Sequence, residues 1–142
     1  MKIEEQVCSL ELAKKLKELS VKQESLWYWI PNYNGTGDQP EMVLAHSNQP
    51  DYQRTKFFSA FTAAELGEIL PVEIVKGEKK DRKQFHIYLA KEHGDFSEEV
   101  RYFVEYQERK TDYEVEVQRC AETEADARAE MLIYLIENGL TL

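Results

Sequence analysis

The side chains in this sequence best suited to chemistry are rings and guanidinium groups. Two tryptophans, eight tyrosines and six phenylalanines are unevenly placed. Trp27, Tyr28 and Trp29 are consecutive, and Tyr102, Tyr106 and Tyr113 fall on neighbouring strand-like segments. Arg54, Arg101 and Arg109 lie among them. An aromatic face stacks a base, and a guanidinium pairs with phosphate, so this mixture is the chemistry of a small nucleotide-like anion. The residues expected to contact such a ligand are Trp27, Trp29, Arg54, Arg101, Tyr106 and Arg109. In a strand the triplet cannot face one way: either Tyr28 or the Trp27/Trp29 pair points away from the core, toward solvent, a ligand or a partner.

Catalytic patterns are missing. There is no GxSxG, and Cys120 has only Arg119 beside it as an activator. A partnership of Cys120 with His86 or His93 across adjacent strands is the one nucleophile arrangement that can be drawn. The plainer reading makes Cys8 and Cys120 small buried hydrophobes of a reducing compartment, since neither belongs to a CxxC pair. His46, His86 and His93 contain no i, i+4 pair and no HExxH, so no metal site is expected. Gly35 and Gly37 lack the helix and the Lys-Ser end of a phosphate loop and read as a hairpin tip. Glu98-Glu99 and Glu114/Glu116 match a solvated strand face. No catalytic residue and no cofactor are expected.

The elements that must position these groups are legible in the pattern. Ser9 is placed as an N-cap for an amphipathic helix reaching about Leu19, with Leu12, Leu16 and Leu19 in its stripe. Leu26–Ile30 reads as a strand stopped by Pro31, and Met42–His46 as its hairpin partner. Lys56–Ser59 is another short strand. Thr62 and Glu65 form a capping-box pattern for a short helix closed by Pro71. After Val72–Val75 and a polar turn, Gln84–Ala90, Val100–Glu108 and Tyr113–Val117 alternate as strands, and short connections make them an antiparallel meander. The last helix starts at Thr123, ends at Gly139, and presents Ala125, Ala129, Leu132, Ile133 and Ile136 on one face. The expected architecture is a single α+β domain over residues 1–142. Its antiparallel sheet, the meander of the last three strands, is packed by N- and C-terminal amphipathic helices and a short middle helix.

Composition narrows the partners. The 142 residues are 42% hydrophobic and 32% charged, with a formal net charge of −9 at pH 7. A surface so acidic repels phosphate backbones, which excludes general nucleic-acid binding. No apolar run approaches the roughly 20 residues of a membrane span. The opening MKIEEQ carries acids where a signal peptide needs an apolar stretch, so a cytoplasmic protein is expected.

Three segments carry a resemblance: EEQVCSLELAKKLKELSVKQESLWYW, SAFTAAELGEILP and TEADARAEMLIYLIENG. Together they resemble a set of small uncharacterised proteins encoded by bacteriophages and prophages, over about half of the chain. The resemblance implies an accessory protein acting in the cytoplasm of a bacterial host. Two functions then stand side by side. One is non-catalytic sequestration of a small anionic, nucleotide-like ligand of bacterial immune signalling. The other is a protein–protein interaction module that inhibits or recruits a host factor. Under either, a homodimer or higher homo-oligomer fits, because a meander leaves edges that a second copy can cover.

Overall fold

The computed structural model describes residues 1–32, 41–47, 57–93, 99–108 and 115–141. Among them are three α-helices, α1 (Leu10–Glu18), α2 (Ala63–Ile69) and α3 (Glu124–Glu137), and seven strands. Strands β1 (Trp27–Asn32), β2 (Glu41–His46) and β3 (Phe58–Ser59) form a three-stranded antiparallel sheet in the order β2-β1-β3. Strands β4 (Glu73–Lys76), β5 (Lys83–His93), β6 (Val100–Glu108) and β7 (Val115–Ala121) form a four-stranded antiparallel meander. The class is α+β, and the meander has one strand more than the sequence pattern promised. No helix among the described residues is long and apolar enough to cross a membrane.

The helix starts follow their signals. Thr62 Oγ1 accepts from the Glu65 N–H at 3.2 Å while Glu65 Oε2 accepts from the Thr62 N–H at 2.8 Å. That is a reciprocal capping box. Thr123 Oγ1 accepts from the Asp126 N–H at 3.1 Å. Gly139 takes φ +66° and closes α3, as its position implied. Ser9 differs: its side chain makes no cap bond, and its backbone N–H donates to Asp126 Oδ1 at 2.7 Å. The start of α1 is thereby tied to the start of α3.

Pro31 does not stop β1, which continues to Asn32 with Pro31 opposite Met42. The described part of β3 pairs only with Tyr28 and Trp29, so beside Pro31 no described ladder needs the missing N–H. In the meander the face read as apolar on β6 is the inner one: Val104 and Tyr106 are buried against α3. On β7 the alternation breaks at a register shift between Tyr106↔Val117 and Gln107↔Val115, and Val115 emerges half exposed. Tyr113 lies outside the described residues.

Lys76 on β4 and Glu116 on β7 form an ion pair, although these are the two outermost strands. In a flat sheet three interstrand spacings separate such strands by about 14 Å. The meander is therefore curled.

All three helices run in the same sense. Ser9 meets Asp126 at one end, and Lys15 pairs with Glu137 at 3.2 Å toward the other. For α2, Arg128 Nη1 donates to Ala63 O at 3.0 Å and Ile69 lies beside Leu132 and Ile136. The core fills the space between them: Leu16, Phe61, Leu66, Met131, Leu132 and Leu135 are sealed together with Phe85, Val104 and Tyr106. Each large side chain so buried contributes about 2 kcal/mol.

Gly67 sits where the Arg128 guanidinium crosses α2. A Cβ there would lie 2.0 Å from Arg128 Nη1. Gly67→Ala therefore gains about 1 kcal/mol of helix propensity but displaces a largely buried guanidinium from its carbonyl, a loss of about 2 kcal/mol. We expect net destabilisation near ~1 kcal/mol in the wild type and stabilisation of similar size in an Arg128→Ala background. Denaturant unfolding of the four proteins measures this coupling. Additive changes would show that the guanidinium does not occupy this space.

Candidate functional site

Among the described residues, those expected to bind a ligand do not converge. Trp27 and Trp29 belong to the three-stranded sheet, Arg101 lies on the outer face of the meander opposite Glu92, and Tyr106 is in the core. Arg54 and Arg109 lie outside the described residues. Tyr106 is sealed in the core. It is 0% exposed, and its hydroxyl donates to Pro71 O at 2.6 Å. Desolvation raises its phenol well above the ordinary range. Alternation correctly put it on the apolar face, and that face is sealed by α3.

The tryptophans have internal work as well. The Trp29 indole N–H donates to Cys8 O at 3.0 Å and the ring packs on the core, while Trp27 meets His46 edge to face at 5.0 Å. Tyr28 is buried on the opposite face, against Phe57 at 4.8 Å. The triplet thus has cover on both faces, Trp29 against the core and Tyr28 against Phe57. Other rings are capped by cations. Lys17 Nζ stands 4.9 Å and Lys14 Nζ 5.7 Å from the Phe58 centroid, Lys91 5.5 Å from Tyr102, and Arg119 4.6 Å from Tyr134. Ring faces that looked available in the sequence are stacked from within.

The cysteine readings also separate. Cys8 is fully buried and desolvation pushes its thiol up to about 12, so it is a packing residue and not a nucleophile. Cys120 is only partly buried, on the outer face beside Phe103, with Arg101 Nη1 at 3.9 Å. His93 pairs with Val100 on the inner face, so the register places it and Cys120 on opposite sides of the sheet. His86 turns its Nε2 toward Glu73 at 4.0 Å. Among the described residues no group of three or more His, Cys, Asp or Glu side chains is placed to hold a metal ion.

What the structure does assemble is an apolar groove of about 810 Å³. It opens where the three helices end. Leu19 and Val21 come from the exit of α1, Ile69 from the last turn of α2, and Ile136 and Leu140 from the end of α3. Phe61 and Leu132 close its floor, and Lys22, Glu24 and Glu73 stand at the rim. The apolar surface continues outside it through Val72, which is 73% exposed. Sequence reasoning assigned Leu19, Ile69, Leu132 and Ile136 to helix stripes and so to packing. The available signal was that Leu19 and Ile136 are the last apolar members of their stripes, where cover runs out. A second hollow of about 510 Å³ lies at the opposite pole, at the starts of α2 and α3, and its lining includes Glu5, Glu122 and Glu124.

Comparison with protein-family models, with curated proteins and with solved structures finds no match to this chain.

Asp126 links the pole of helix starts to pH. Burial raises its carboxyl above the ordinary value, partly offset by the Ser9 N–H and the Thr123 hydroxyl. Burial and the Asp126 charge one turn away raise Glu130 too. A carboxyl raised on folding binds its proton more tightly in the native state. Its contribution is thus present below the unfolded value and lost as pH rises through the folded one. Asp126→Asn keeps an acceptor for the Ser9 amide, and unfolding free energy measured from acid to neutral pH should fall less steeply than in the wild type. Equal slopes would remove Asp126 from this account. Tyr106→Phe should cost about 1–2 kcal/mol through the lost bond to Pro71 O without changing ligand or partner binding; weakened binding would return Tyr106 to a site.

Proposed function

We propose that this chain is a non-catalytic protein-binding module whose contact surface is the groove at the helix ends. The observation that carries this reading is the groove itself. It is open, apolar on its floor, and continuous with exposed apolar side chains at Ile69 and Val72. Exposed apolar surface of this kind, rimmed by charge, is the usual form of a protein interaction site. The resemblance to phage- and prophage-encoded proteins supports a bacterial host protein as the partner, which the module would inhibit or recruit. A small anionic ligand is the second reading. What supports it is the pair of lysines, Lys14 and Lys17, over Phe58 next to Trp29 on the adjoining strand.

The two readings divide in one experiment. Tagged wild-type protein and the variants Ile69→Glu, Leu140→Glu and Tyr88→Glu are used to capture proteins from bacterial lysate, quantified by mass spectrometry. A stoichiometric partner should be retained by Tyr88→Glu on the outer sheet face and lost from both groove variants, with affinity weakened about tenfold or more. A partner indifferent to the groove variants would sink the module reading. Calorimetry against cyclic nucleotides tests the second, for which Lys17→Glu should abolish any heat of binding seen with the wild type.

A further inference from the structure

We infer that the groove is built for a cationic amphipathic segment of a partner protein, an inference that rests on the groove being the docking surface. The argument is electrostatic. Three helices of one sense add their dipoles, so partial positive charge collects at one pole and partial negative charge at the other. The chain compensates the first pole at all three helices and the second only at α1. Glu11, Glu65, Glu124 and Asp126 occupy the first turns of α1, α2 and α3, where acids are favourable. In the last turns of α2 and α3 no basic residue is present, and of the two in α1, Lys15 is engaged by Glu137 while Lys17 donates to Phe57 O at 2.7 Å.

The lining repeats this imbalance. Lys22, its one cation, is paired with Glu24 at 2.9 Å. Among the described residues, the one counter-charge given to Glu73 is the His86 imidazole at 4.0 Å, charged only when protonated. A net charge of −9 draws the same kind of ligand from a distance. Among the described residues, an anion in the groove would meet no lining cation but Lys22, which Glu24 already pairs. A second copy of the chain would bring a like charge. A helix with an apolar stripe and Lys or Arg along its edges satisfies both parts: the stripe covers Phe61, Leu132 and Ile136, and the cations meet Glu73 and the helix ends.

The test uses the full chain, isotope-labelled, titrated with three designed peptides followed by amide chemical shifts. All carry leucine at i, i+3, i+4 and i+7; the other positions are Lys, Gln or Glu. The Lys peptide should bind about tenfold or more tightly than the Gln peptide, the Glu peptide not at all, and salt should narrow the gap. Shifts should gather at 19–24, 69–73 and 136–141. Glu73→Lys should weaken the Lys peptide severalfold and leave the Gln peptide unchanged; Ile69→Asp should weaken both. Equal binding of Lys and Gln peptides at the groove would overturn the charge inference while leaving the docking surface standing. Shifts scattered over other acidic surface, unaffected by either variant, would overturn it as non-specific attraction. No response to any peptide overturns it as well, and the lysate capture then judges the docking surface separately.

Discussion

The burial of α3 on more than one side is the constraint from which the other arrangements follow. Ala125, Ala127 and Ala129 are all buried, at a spacing that no single helical face can supply. Small side chains there let α2, the start of α1 and the inner faces of β6 and β7 approach together. Further along, Met131, Leu132 and Leu135 are larger and equally buried. The helix is thus narrow where its neighbours begin and wide where they end. The groove lies at the end where the larger side chains stand.

The aromatic residues take a different role from the one their abundance suggests. Three lysines and one arginine, carried on α1 and on strands of the meander, lie over the rings of Phe57, Phe58, Tyr102 and Tyr134. Such contacts use the aliphatic stem and the charge of each cation while leaving part of it in water. An acidic chain with few cations has therefore placed several of them on its own rings, and the ends of α2 and α3 carry no basic residue in their last turns.

Much of this architecture was legible in the sequence. Thr62 with Glu65, and Thr123 with Gly139, marked the bounds of α2 and α3 because caps act within a few residues. Phe85, Val104, Tyr106 and Val117 declared the inner face by alternation. The fourth strand, the curl and the cover on both faces of β1 were not legible, since each depends on contacts between distant positions. Lys76 with Glu116 and Lys17 with Phe58 have no sequence spacing to betray them. Tyr106 and Arg101 looked like neighbours on one strand, and so they are, but residues at odd separation face opposite ways, and only one of the two meets water. The groove escaped notice because periodicity tells which side of a helix is apolar and is silent on where its cover stops.

Gly67 and Arg128 carry a consequence for how this fold can change over time. The guanidinium occupies the volume that any Cβ at position 67 would claim. The two sites therefore share one space. In a lineage built on this scaffold, a side chain at 67 should appear only after 128 has shortened, and a long cation at 128 should hold its neighbour to glycine. Drift at either position is gated by the other, and such a paired history would be recognisable wherever the scaffold recurs.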